Sequence, residues 1–482
     1  MNAGSSRIAV SVVAGLGFLA VLVFAYVQPR SFSDFRYLGA LLGLQVILVC
    51  LWYYDVIFFP LLMVLFLWAG MDVPFSTLGR TARWLALAVA AFAGFVFWMR
   101  DRRHTFGLFH LVALSCVVTA LASAIVSADP NTSLLKVLSL FLLFLYGATG
   151  ARLAIRGREV EFAQNVLLVC EIIAYFSAMA YLGMGWHIFG NPNSLGAIMG
   201  VVVTPLLFWG VLVARNPTQR YRRLVALSLS GVLLYAAMSR ASLLAAAIAV
   251  AVLCVSLRRQ RLLVVGIFVV ALLGATAAVV DPEHFNRFAE TETSTILYKG
   301  KREEGVLGSR RTPWQHAVEV IKEHPWLGSG FGTSYMGQFA QQRRTEFDPS
   351  SGGLYTKVGT NREHGNSYLA LVEYMGLLGI IPFAILVFLV AQMVFRICVW
   401  MRRTSNPHHC AIPFAVVLLA GLVHATFEDW LAAVGYYLCV FFWTSAFWLR
   451  DMLPAPVPAP IRAPSRLHTR VACSYETIAP NR

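Results

Sequence analysis

Stretches of roughly 20 apolar residues recur along this chain, and each is long enough to cross the hydrocarbon core of a bilayer as a helix. In lipid the backbone must satisfy its own hydrogen bonds, so a chain of this kind folds as a helical bundle. The runs lie at 8–27, 36–54, 56–71, 82–99, 106–126, 132–150, 163–183, 193–214, 224–238, 241–257 and 262–280, then at 366–397, 411–427 and 431–449. They predict an all-α polytopic membrane protein with 12 to 14 transmembrane helices, the short runs between 36 and 71 leaving the count open. Composition agrees, since 58% of residues are hydrophobic and only 13% charged, outside the range of soluble domains. The formal charge of +15 does not indicate a nucleic-acid partner, because the basic residues sit in short clusters between apolar runs.

The run from Ile8 to Val27 follows a single Arg7 and ends in Gln28-Pro29-Arg30 without a small-residue cleavage pattern, so it reads as a retained first span. Arg100 to Arg103, Arg152 to Arg158, Arg215 to Arg223, Arg258 to Arg261 and Arg396 to Arg403 alternate so as to fall on one side, the cytoplasmic one. Four regions follow: an N-terminal transmembrane bundle (1–280), a large outer loop containing helices (281–365), C-terminal transmembrane helices (366–449) and a disordered, proline-rich cytoplasmic tail (450–482). None of the eight cysteines lies in the outer loop, which argues against a disulfide framework or a Cys-ligated zinc. No Asp-x-Asp triplet or metal-spaced cluster occurs, so no metal and no cofactor are expected.

Polar chemistry collects at the outer face. Arg240 sits in a tight turn between two runs, as either an interfacial anchor or a planar fork for a diphosphate. Arg310 and Arg311 stand before a helix that the pattern starts with Thr312 as N-cap and Pro313 at its first position. Two arginines beside a helix N-terminus form an anion site, the alternative being solvated loop charges. His364 lies where the loop re-enters the membrane, as a passive interfacial polar group or as a base able to take a proton from a sugar hydroxyl, with Glu363 to orient it. Asn366, Asn193, His187, Asn191, His424, Glu428 and Asp429 lie near the same face; Asn191-Pro192-Asn193 reads as a capped helix start and Glu428-Asp429 as a short turn.

Three segments together resemble the O-antigen ligase family, within the O-antigen ligase and polymerase superfamily. His364-Gly365-Asn366, nine further residues and Gly376-Leu377-Leu378-Gly379 resemble the signature H-x-[NSQ]-x9-G-x-x-[GTY]. Arg240-Ala241-Ser242-Leu243-Leu244 is similar to the family's R-x3-L motif. Trp314 with Pro325-Trp326-Leu327-Gly328-Ser329-Gly330 resembles a W…P-x-x-G-x-G segment. The resemblance covers roughly residues 185 to 445.

The resemblance implies a glycosyltransferase of the helical membrane class, GT-C-like, in the bacterial inner membrane with its active site facing the periplasm. The donor would be O-antigen on undecaprenyl diphosphate and the acceptor a lipid A-core sugar hydroxyl, with membrane lipids and no nucleic acid as other partners. Carried over, His364 would be the general base or acceptor-positioning group, and Arg240, Arg310 and Arg311 would bind the diphosphate. The route would be inverting and metal-independent, which agrees with arginines standing where a metal would neutralise the leaving group. An O-antigen polymerase using the same donor, or a lipid-linked sugar transporter, are the alternatives.

Overall fold

Several helices in this chain start where a side chain takes over backbone N–H groups that lipid cannot satisfy. Asp129, Asn191, Asn216 and Asn366 each accept from a backbone N–H two or three residues on, and Pro130, Pro192 and Pro217 occupy first helical positions. The computed structural model describes residues 54–73, 76–100, 106–283, 308–333, 344–348, 353–357 and 364–454, with the short pieces 26–27 and 290–291.

In chain order the elements are α1 (Tyr54–Gly70), α2 (Ser76–Arg100), α3 (Leu108–Ile125), α4 (Pro130–Ile155), α5 (Glu159–Gly183), α6 (Pro192–Leu212), α7 (Pro217–Ala236), α8 (Arg240–Ser256) and α9 (Gln260–Val280). Helix α10 (Gly308–Glu323) and an antiparallel hairpin, β1 (Arg344–Asp348) with β2 (Gly353–Lys357), belong to the loop. Then come α11 (Ser367–Thr404), α12 (Ala411–His424) and α13 (Tyr437–Met452). Among the described residues six helices are long and apolar enough to cross a membrane, and four more are apolar but shorter. The runs at 8–27 and 36–54 and the tail after 454 lie outside the described residues, apart from Tyr26, Val27 and Tyr54.

Large apolar side chains face outward as a lipid surface requires; Phe388 is 65% and Phe395 68% exposed. Inside, Phe414, Trp443, Phe447 and Trp448 are fully buried. Gly196 and Gly200, spaced four apart on α6, let that helix approach α8 at Ser239 and Ser242, where a Cβ would collide. Arg152 makes a two-pronged pair with Asp451 (2.6 and 2.9 Å), and Trp209 donates to the carbonyl of Pro407 (2.8 Å).

Glu171, an acid the sequence places inside a span, is buried between Arg222 (2.5 Å) and Arg223 (3.2 Å), and Arg223 also donates to the carbonyl of Gly210. It is a lock between α5 and α7. Glu171→Leu leaves Arg223 buried without its carboxylate and should cost about 3–5 kcal/mol, read as a lowered thermal midpoint in detergent.

Three features differ from the sequence expectation. Helix α10 begins at Gly308, four residues ahead of Thr312, so Arg310 and Arg311 lie in its first turn and Pro313 inside it. The run at 431–449 becomes helix only from Tyr437, because Ser367 takes the preceding backbone: its hydroxyl donates to Glu428 C=O (2.6 Å) and accepts from the N–H groups of Trp430 (3.0 Å) and Leu431 (3.1 Å). The loop also holds strands in addition to a helix.

Helix α11 is broken at Gly376, whose φ of 63° and ψ of −169° are open only to glycine. The groups freed by the break are taken up by the turn after α10. Ser329 and Gly330 N–H donate to the carbonyls of Glu373 (2.9 Å) and Tyr374 (3.1 Å), while Leu377 and Leu378 N–H donate to those of Pro325 (2.8 Å) and Trp326 (3.2 Å). Gly328 and Gly330, both at positive φ, permit this approach. The P-x-x-G-x-G turn and the distal glycine of the histidine motif are thus two sides of one contact.

Candidate active site

The break turns residues 367–375 so that Glu373 and Tyr374 meet His364. The His364 side chain is wholly buried. Its Nδ1 lies 2.6 Å from Asp429 Oδ2, and its Nε2 lies 3.1 Å from Glu373 Oε1, an ion-pair distance off the line of a hydrogen bond. The Tyr374 ring stands edge-on at 5.0 Å, with its hydroxyl 3.4 Å from Nδ1. Burial lowers the His364 pKa, but the Asp429 and Glu373 carboxylates outweigh it and raise the group to about 9. Glu373 is fully buried, whereas the Asp429 side chain keeps 18% of its surface open. The open face of the group therefore belongs to Asp429.

Arg310 reaches back from α10 over Gly365 and pairs with Glu428 (2.5 Å). Gly365 has φ of 62°, and a Cβ there would run into the Arg310 guanidinium. Trp314 donates its ring N–H to Gly365 C=O (3.4 Å), so α10 is held on the histidine motif at two points. Arg240, at the start of α8, is near enough to Arg310 for their charges to repel. Glu428 balances the Arg310 charge at this meeting point. Arg311 is exposed on the adjacent position of α10.

Beneath the arginines, His424 is buried at the end of α12. It accepts from Trp430 Nε1 at Nδ1 (2.8 Å), so Nε2 carries the proton and donates to Ser242 (3.1 Å), which also bonds Ser239 (2.8 Å). Lys136 on α4 donates to Gly332 C=O and lies within electrostatic range of Asp429.

The structure thus brings together His364, Arg240 and Arg310. Asn366 caps α11, accepting from the N–H groups of Tyr368 (2.9 Å) and Leu369 (3.1 Å). Asn193 donates its backbone N–H to the Asn191 cap (2.9 Å), and His187 is exposed against the ring of Tyr181. Glu363 lies outside the described residues. Glu373 was not singled out by the sequence, although it is the one charged residue between Ser367 and Phe395 and intramembrane acids default to function. Asp429 was seen as half of a turn; its pairing with His364 spans 65 residues and has no local signal.

Residues 224–384 match the family model described as O-antigen ligase. The matched stretch contains Arg240, the arginines of α10, His364 and the Gly376 break. Over that stretch the chain is similar to the O-antigen ligase family. The described residues also include six helices long and apolar enough to cross a membrane. Asp429 and Glu428 lie beyond the matched stretch, but Ser367 ties their segment back to it. No curated protein matches this chain.

Proposed function

We propose that this chain transfers an O-antigen glycan from undecaprenyl diphosphate to a sugar hydroxyl of a lipid A-core acceptor at the periplasmic face of the bacterial inner membrane. The observation that carries the reading is the meeting of Arg240 and Arg310, from a membrane helix and a loop helix, beside the His364–Asp429 pair. The acceptor oxygen attacks the anomeric carbon, the bond to the diphosphate oxygen breaks, and its electron pair leaves on the diphosphate. The arginines neutralise that charge as it develops. The hydroxyl proton passes to the His364–Asp429 pair, and a single displacement inverts the anomeric centre. A site built on arginines does this without a metal, so transfer survives EDTA.

The test separates the two loop arginines. With purified protein, a carrier-linked glycan and a lipid A-core acceptor, Arg310→Ala should lower transfer by about 100-fold or more, the size of losing an oxyanion-type donor. Arg311→Ala should stay within about threefold, as for an ordinary exposed substitution. Equal losses in both variants would sink the assignment. Offering a second carrier-linked glycan in place of the lipid acceptor distinguishes a ligase from a polymerase.

A further inference from the structure

A histidine with a carboxylate at each ring nitrogen can satisfy both only when both nitrogens carry protons. His364 is in that position, between Asp429 on Nδ1 and Glu373 on Nε2, and it has no exposed surface from which to meet a substrate. Glu373 approaches from the membrane side, on the turn of α11 just before the Gly376 break. A carboxylate held in a span is costly unless a cation answers it, and the histidine ring does so here.

We infer that Glu373 is a positioning residue that fixes His364 as an imidazolium, and that Asp429 is the group that takes the proton from the acceptor hydroxyl. The ring then serves as a fixed cation that aims Asp429 Oδ2, and it gains and loses no proton during transfer. As the new C–O bond forms, the hydroxyl proton moves to the open side of the Asp429 carboxylate, and it leaves to water after the product departs. A carboxylate is base enough because, in a displacement with oxocarbenium character, the attacking hydroxyl becomes acidic only as its bond forms. The pKa of about 9 agrees with a ring that stays charged at neutral pH. The other titratable groups around the pair are Tyr374 on α11, Lys136 on α4, and Arg310 with Glu428.

The last step rests on the transfer reading above, whereas the charge of the ring does not. The experiment uses the full chain in lipid nanodiscs with ¹⁵N-labelled histidine, the His364 signal being assigned by its loss in His364→Asn. The wild-type ring should show two protonated nitrogens at about pH 7, where an ordinary histidine is mostly neutral. In Glu373→Gln the ring should lose its proton at a lower pH than in the wild type. Transfer by that variant should fall at least about tenfold at pH 8 and recover as the pH is lowered, with KM for donor little changed. A purely structural role would give a loss independent of pH. A neutral wild-type ring at pH 7, or a variant whose ring titrates as the wild type does, overturns the inference. If Glu373→Gln does not fold, the wild-type spectrum still decides. A charged ring in a protein that transfers no glycan would leave Glu373 in place and remove the transfer reading.

Discussion

Asp429→Asn is expected to reduce glycan transfer by about two to four orders of magnitude, the usual worth of a positioned proton acceptor, while leaving expression and detergent stability near wild type. The amide keeps the size of the side chain and can still accept from Nδ1 through its oxygen, so the packing around the 2.6 Å contact is retained. What it loses is the charge that takes up the hydroxyl proton. Because Asp429 is partly open, its replacement leaves no newly buried charge unanswered beyond what Glu373 already balances on the far side of the ring. His364→Ala should abolish transfer as well. That variant, however, strips the cation from between two carboxylates and so mixes a catalytic loss with a folding one. Transfer by Asp429→Asn within about fivefold of the wild type would return the base to the histidine ring.

The second large effect concerns backbone. Gly376→Ala should lower the thermal midpoint sharply and remove activity with it. The φ of 63° with ψ near −169° has a cost of about 1–3 kcal/mol for a residue bearing a Cβ, before any contact is counted. The new methyl would also strike the Trp326 carbonyl, forcing apart the four hydrogen bonds that join the break to the turn. Gly231→Ala is the matching control. It lies within α7 with open space around its Cβ position, and there alanine should be neutral or stabilising by up to about 1 kcal/mol. A Gly376→Ala protein that melts with the wild type would mean the break is not what holds the loop.

Most of the bundle could be read from the chain because hydropathy over a span is a local property. Basic turns and Asn or Asp caps mark the ends of spans within a few residues. Arg240 and His364 could be found for the same reason, each sitting at an abrupt boundary between apolar and polar sequence. What could not be read depends on contacts between distant segments. Glu373 is masked by the apolar residues around it, and its partner is identifiable only once α11 is known to bend. Gly376 was visible as a motif letter, but its positive φ and the four bonds it frees are properties of the fold. Pro313 suggested a helix start, yet α10 gains an extra turn ahead of it by seating Arg310 on Gly365. Ser367 shortens the last helix by holding residues 428 to 431, a contact across some 60 positions that no window of sequence contains.

The exchange of hydrogen bonds at Gly376 also defines what can be traded between relatives. The turn at 325–330 and the first turns of α11 complete one another's backbone, so neither is a self-contained part. A chimera that swaps the outer loop alone would cut through this seam and leave carbonyls and N–H groups stranded at the membrane surface. The piece that keeps this seam intact runs from the start of α10 through Leu378, and it carries Arg310, His364 and Glu373 together.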